Sequence, residues 1–213
     1  MCKHLAPLKL ASLGVANKAE LCAVLLTGGA SKRMGCDKAL LDLQGQPLWA
    51  ALVGQIAPIC AELWVLQSPT QHLSLPTGSP KGTDIKFFED PQPHQGPLYG
   101  LSQITPQLTR PWTLVVSTDL PLLTTEFLSD LVRLKEPNKP VFSCHQGRIN
   151  PLLALYPTDW LKQAPALWQS GRQDAMALSE QGPYNQINDR PESRGVNRLG
   201  DYQAAIRELG TSQ

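Results

Sequence analysis

"LLTGGASKRMGCDKALL", Leu25 to Leu41, places Gly28 and Gly29 directly after an apolar run and sets Lys32, Arg33 and Lys38 within ten residues of them. A flexible linker has no use for that many cations or for the return to Ala-Leu-Leu. The run that leads into the glycines, "LCAVLL" from Leu21 to Leu26, is apolar at every position, which marks a central strand buried on both faces. Glycine amides at the end of such a strand approach phosphate oxygens closely, because no side chain shields them, and act as fixed positive partial charges. Arg33 adds a planar bidentate fork and Lys38 a compact ammonium. The same residues also fit a plain strand-to-loop turn whose cations point into water, since glycine turns after strands are common. The stretch is not a Walker A loop, because Gly35 is followed by Cys36 and Asp37, and no G-x-G-x-x-G occurs.

Outward from this stretch, apolar runs of strand length alternate with helical periodicity. Pro47 to Glu62 reads as a helix with Pro47 at its first position and a disturbance near Pro58. Leu63 to Gln67 and Ile85 to Asp90 read as strands, separated by the turn-rich "SPTQHLSLPTGSPKGTD", taken as a solvent-exposed excursion. A helix over Gly96 to Leu108, a strand over Trp112 to Thr118 and a helix over Thr124 to Leu134 follow. "PVFSC" and "LLALY" read as strands around a turn at "HQGRINP", and helical patterns return at "TDWLKQAPALW" and "DYQAAIREL". Parallel strands need crossovers, so this alternation predicts a three-layer α/β fold, a mostly parallel sheet with helices on both faces. In open parallel sheets ligands sit beyond the carboxyl ends of the strands, where Gly28 and Gly29 lie.

Composition bounds the function. The chain of 213 residues, 42% hydrophobic and 17% charged, fits one packed domain, assigned to residues 21–213 with residues 1–20 as a flexible tail. A net charge of +1 gives no global field for nucleic acid or anionic membranes, so neither is expected as a partner. Five cysteines, an odd number without a C-x-x-C pair, read as free thiols of a cytoplasmic protein. No uncharged apolar run approaches the roughly 20 residues of a membrane span.

Two carboxylates belong to the same sheet edge as the glycines. Asp119 directly follows the strand "WTLVVST", where it fits either a Mg2+ ligand beside a polyphosphate or the cap of the turn at Pro121. Asp90 ends "IKFFED", where it accepts a hydrogen bond from a ribose or base or merely opens the turn "DPQPHQGP". His94 in that turn reads as an exposed residue, and Cys36 as a small packed thiol.

Taken in order, "LLTGGASKRMGCDKALLDLQGQPLW", "FEDPQPHQGPLYGL" and "STDLP" resemble the molybdenum cofactor guanylyltransferases, with likeness from Leu21 to Leu209 and strongest in the first half. The resemblance implies a Rossmann-like nucleotidyltransferase fold, GTP and molybdenum-molybdopterin as substrates, Mg2+ as cofactor, and cofactor biosynthesis proteins and acceptor molybdoenzymes as partners. It places Leu26, Thr27, Gly28, Gly29, Lys38, Asp90 and Asp119 on the nucleotide, with Asp119 on the metal. Arg33, Lys38 and Asp119 then carry catalysis, and Arg148, Asn150, Arg172 and Asn197 are candidates for the acceptor anion, each also readable as a solvated loop residue. The chain departs from the family in Thr27, where alanine is usual, and in "GVNRLGDYQAA", which keeps Asn197 but not the rest of the pattern. Cytidylyl transfer, sugar-phosphate nucleotidyl transfer and a non-catalytic GTP-binding delivery module are the alternatives. Gly96-Pro97-Leu98, where cytidylyl relatives usually resemble Gly-Ser-Leu, favours guanine, and the joint presence of Lys38 and Asp119 favours an enzyme.

Overall fold

A computed structural model describes residues 17–28, 37–75, 78 and 80–211. β1 (Leu21–Leu26) is buried at all six positions, as its unbroken apolar composition requires. β2 (Asp42–Leu43) and β3 (Gln46–Pro47) form a small antiparallel ribbon, turned by Gln44 and Gly45, both at positive φ. α1 (Leu48–Ile56) begins one residue later than the sequence predicts, because Pro47 is extended and stands at the N-cap. Pro58 lacks an N–H and cannot continue the helix, so the chain tightens into a 3-10 turn over Ala57–Ile59.

β4 (Glu62–Gln67), β5 (Asp84–Glu89), α2 (Pro97–Ile104), β6 (Trp112–Ser117) and α3 (Thr125–Arg133) follow close to their predicted places. The Thr124 hydroxyl caps α3 by accepting from the Phe127 amide at 3.2 Å. β7 (Val141–His145) and β8 (Arg148–Pro157) are joined by Gln146 and Gly147, both at positive φ, so the turn is shorter than "HQGRINP" and Arg148 and Asn150 are strand residues. The helix expected over "TDWLKQAPALW" is broken into α4 (Thr158–Leu161) and α5 (Ala164–Gln169), with Pro165 in the first turn of the second. β9 (Asn185–Asn188) was not legible in advance, and α6 (Leu199–Thr211) closes the described chain.

The main sheet has seven strands in the order β5-β4-β1-β6-β8-β7-β9. β5, β4, β1 and β6 are mutually parallel, β8 is antiparallel to both β6 and β7, and β9 is parallel to β7. One apolar layer joins α1, α3 and α6 to the sheet through Leu52, Phe127, Leu131 and Tyr202. The other joins α2 through Leu98, Leu101 and Ile104 to Val24, Val115 and Tyr156 on the opposite face. This is the expected mostly parallel, helix-covered sheet. The Ser68 to Asp84 stretch corrects one expectation, since Ser68 and Gln71 are buried at its start. No helix among the described residues is long and apolar enough to cross a membrane.

Candidate functional site

Because β1, β4, β5 and β6 run the same way, their carboxyl ends converge on one edge of the sheet. There a cavity of about 390 Å³ is lined by Leu26 at the end of β1 with Thr27 and Gly28 after it, Leu66 of β4, Asp90 after β5, and Ser117 at the end of β6 with Thr118 and Asp119 after it. Gly96, Pro97 and Gly100 of α2, Leu152 of β8, the turn residues Pro93 and His94, and Lys38 complete the lining. The N-terminus of α2 therefore abuts the cavity, adding the partial positive charge of unpaired amides.

Lys38 lies on a 3-10 turn over Lys38–Leu40, whose cap is the Asp37 carboxylate, accepting from the Ala39 amide at 2.9 Å. Its ammonium donates to the Val196 carbonyl at 2.8 Å and to Asn197 Oδ1 at 3.1 Å. Asp119 is half-buried, its Oδ1 taking the Ser117 hydroxyl. Its backbone carbonyl accepts from the Val196 amide at 2.7 Å. The Ser117 bond engages Oδ1 from the preceding strand and leaves Oδ2 outside it.

Asp90 opens the turn, one of the two things that the sequence allowed for, and it also lines the cavity. Its Oδ1 opens the turn by accepting from the Gln92 amide at 3.0 Å, and Oδ2 lies on the Gly100 side of the cavity. Gly100 matters for shape, since a Cβ there would come within 2.7 Å of Leu66 Cδ2. Gly96 has φ of +97°, and a Cβ on it would meet the Gln173 carbonyl oxygen at 2.8 Å. Thr27, 3% exposed, keeps its polar groups inside the protein: its amide and hydroxyl donate to the Leu66 carbonyl, and its own carbonyl accepts from Gln71 Nε2.

Arg33 and Gly29, with Lys32 and Cys36, lie outside the described residues. Of the four acceptor candidates, Asn197 reaches the cavity through its bond to Lys38. Arg148 and Asn150 stand at the start of β8, two strand positions or more before the cavity-lining Leu152, and Asn150 Oδ1 accepts from the Leu152 amide at 2.9 Å. Arg172 forks onto Glu180 at 2.6 and 3.0 Å, which raises the guanidinium pKa above its ordinary value and lowers that of the carboxyl. His94 is exposed, as expected, but at positive φ it also faces the cavity.

The donor set can be tested against a divalent ion. No group of three or more His, Cys, Asp and Glu side chains gathers among the described residues, so an all-protein cage is absent there. Mg2+ ordinarily takes one or two carboxylates, substrate phosphates and water, and Asp119 at the edge of an open cavity fits an ion that arrives with a polyphosphate.

Sequence reading missed Gly195, Gly100 and Gln71. A glycine inside a helical pattern, costing about 1 kcal/mol against alanine, was the available signal for Gly100. A Cβ at Gly195 would stand 2.9 Å from Asp119 Oδ2, so the carboxylate or the segment would have to shift.

An open α/β sheet whose cavity gathers a lysine, a glycine just after a strand and two carboxylates at the strands' carboxyl edge has the arrangement of the nucleotide-binding class of α/β proteins. Residues 23–186 match the family described as the MobA-like NTP transferase domain, and the chain belongs to that family. A probable molybdenum cofactor guanylyltransferase of Mycobacterium avium is 32% identical over 200 residues, covering 89% of this chain and 97% of that one. Among solved structures, the molybdopterin-guanine dinucleotide biosynthesis protein A of Archaeoglobus fulgidus shares the fold with a TM-score of 0.69 at 16% identity, covering 89% and 99% of the two chains. A Mycobacterium tuberculosis protein crystallised as a manganese complex shares it with a TM-score of 0.62 at 13% identity, covering 89% and 99%.

Proposed function

We propose that this protein transfers GMP from GTP to the terminal phosphate of molybdenum-bound molybdopterin, releasing pyrophosphate and forming the guanine dinucleotide. The observation that carries the reading is the meeting of Lys38 and Asp119 on one cavity in a chain of the MobA-like family. The name of the Mycobacterium avium relative favours guanylyl over cytidylyl or sugar-phosphate chemistry. A delivery module that only held GTP would not require both residues.

In the reaction, an acceptor phosphate oxygen forms a bond to the α-phosphorus of GTP as the bond to the β-phosphate bridging oxygen breaks in line. Such transfers depend on positioning and charge stabilisation, and no protein nucleophile is needed. Lys38, held at the cavity wall by Val196 and Asn197, stabilises charge on the departing pyrophosphate. Arg33 is assigned the same task, and Leu26, Thr27, Gly28 and Gly29 form the wall against the nucleotide. Asp119 is the residue that would hold Mg2+, which when bound neutralises triphosphate charge and polarises the α-phosphate. Asp90 meets the nucleoside through the oxygen not used by Gln92. Arg148, Asn150, Arg172 and Asn197 are assigned to the acceptor anion, for which Arg172 would have to leave or share Glu180.

A cytoplasmic setting, one catalytic domain over residues 21–213, and passage of product to acceptor molybdoenzymes belong to the same proposal. The test is pyrophosphate release from GTP and Mg2+ with and without molybdenum-molybdopterin. Release that requires the acceptor supports the reading, and release at the same rate without it contradicts transfer.

A further inference from the structure

Gln71 is 7% exposed, although it belongs to a stretch whose composition reads as surface loop. Its amide oxygen accepts from the Ser68 amide at 2.9 Å and lies 3.1 Å from the Thr27 hydroxyl, whose single hydrogen it shares with the nearer Leu66 carbonyl at 2.9 Å. Its amide nitrogen donates to the Thr27 carbonyl at 3.0 Å and to Asp37 Oδ2 at 2.6 Å. The orientation is forced, because a backbone N–H can only donate and an ionised carboxylate can only accept. One side chain thus uses its two hydrogens and two acceptor sites on partners from three parts of the chain, and the bond to Asp37 is of the stronger, charge-assisted kind.

Two of the partners, Thr27 and Asp37, each adjoin a residue that lines the cavity, Gly28 and Lys38. Thr27 directly follows β1, while Asp37 caps the 3-10 turn that presents Lys38. We propose that Gln71 is a positioning residue for the nucleotide site, acting through Asp37 to fix where the Lys38 ammonium stands relative to the end of β1. The inference rests on the reading of the cavity as a GTP site. A residue that merely filled a polar gap would have no need to join these two segments, and its loss would act on stability alone.

Calorimetric titration with GTP distinguishes the two roles. Gln71→Met keeps the side-chain length and deletes all four bonds, and it should weaken GTP binding about tenfold. In a Lys38→Met background the same change should add nothing, because a residue that acts through Lys38 has nothing left to position. Additive losses in the double variant, or unchanged GTP affinity in Gln71→Met, overturn the proposal. Asp37→Ser supplies a hydroxyl to cap the Ala39 amide but withdraws from Gln71, so it cuts this link alone and carries the test if Gln71→Met does not fold. It too should weaken GTP binding about tenfold, with no further loss beside Lys38→Met, and unchanged affinity overturns the proposal. If Lys38→Met itself binds GTP as well as the wild type, the GTP reading of Lys38 falls and this inference falls with it, an outcome distinct from additivity.

Discussion

Lys38 and Asp119 are joined through one residue: the Lys38 ammonium donates to the Val196 carbonyl at 2.8 Å, and the Val196 amide donates to the Asp119 carbonyl at 2.7 Å. They line the same cavity and are 81 positions apart in the sequence, so neither neighbourhood fixes their spacing. The 195–197 segment does so, with Gly195 against the carboxylate and Asn197 on the ammonium. The two charges on which the proposed chemistry depends are therefore set by backbone from the far end of the chain.

Removing the cation tests the Lys38 end of this arrangement. Lys38→Met retains an apolar stem of similar length, and the loss of one strong contact to a transition state typically costs about 3 kcal/mol, roughly a hundredfold in rate. Steady-state kinetics of guanylyl transfer should show that loss in kcat/KM for GTP. Wild-type kinetics in the folded variant would return Lys38 to a structural role at Val196.

At the Asp119 end, Asp119→Asn preserves size and an oxygen for the Ser117 hydroxyl but surrenders the charge that Mg2+ prefers. Transfer should fall by about a hundredfold or more, with half-saturating Mg2+ raised. The thermal midpoint should stay within about 4 °C, the shift that 1 kcal/mol produces at this chain length. Unchanged metal dependence together with a large drop in melting temperature would make Asp119 a turn cap.

Gly195→Ala asks whether the 195–197 segment sets the carboxylate. A Cβ at this position would lie 2.9 Å from Asp119 Oδ2, closer than side chains tolerate, so the carboxylate or the segment must move. The expected result is a smaller version of the Asp119→Asn effect, about tenfold in rate with raised Mg2+ requirement. A Mg2+ titration that overlays the wild type would show that the carboxylate position is not held there.

The cysteines give a chemical check on the fold. Burial pushes the Cys22 thiol up to about 11 and the Cys60 thiol up to about 12. Their reactive thiolates are therefore scarce at pH 8. Iodoacetamide labelling mapped by mass spectrometry should leave both unmodified in the native protein and modify both in denaturant. By linkage, a raised folded pKa stabilises below the ordinary thiol value of 9.0, and this contribution is lost as pH climbs through 11 and 12. Rapid native labelling of Cys22 would contradict its place in β1.

Much of the fold was legible because its signals are local. "LCAVLL" is apolar throughout, Pro47 and Pro58 punctuate α1, and Asp119 directly follows an apolar strand. β8 starts four positions before "LLALY" and runs across Pro151, a residue that ordinarily marks a strand end or a bulge. The structure accommodates it at a register shift, where Phe142 pairs with Ala154 but Ser143 pairs with Asn150. β9, "NQIN", carries one apolar residue and pairs only at the sheet margin with β7, so no periodicity marks it. Gln71 was invisible for another reason: its partners Thr27 and Asp37 stand 44 and 34 positions away, and a buried amide among turn residues has no sequence pattern. The site's carboxylates were readable as strand-end residues and its lysine from the cationic stretch after the glycines, whereas the 195–197 segment that arranges them was not.

The central claim is guanylyl transfer at this cavity, and a mixed-nucleotide reaction tests it most directly. Wild-type protein is given GTP, CTP and ATP at equal concentration with Mg2+ and molybdenum-molybdopterin, and the dinucleotide product is identified by mass. The account expects the guanine dinucleotide to dominate, formed one for one with pyrophosphate and lost in the Lys38→Met protein. A product made chiefly from CTP, or guanine product undiminished by Lys38→Met, would contradict it.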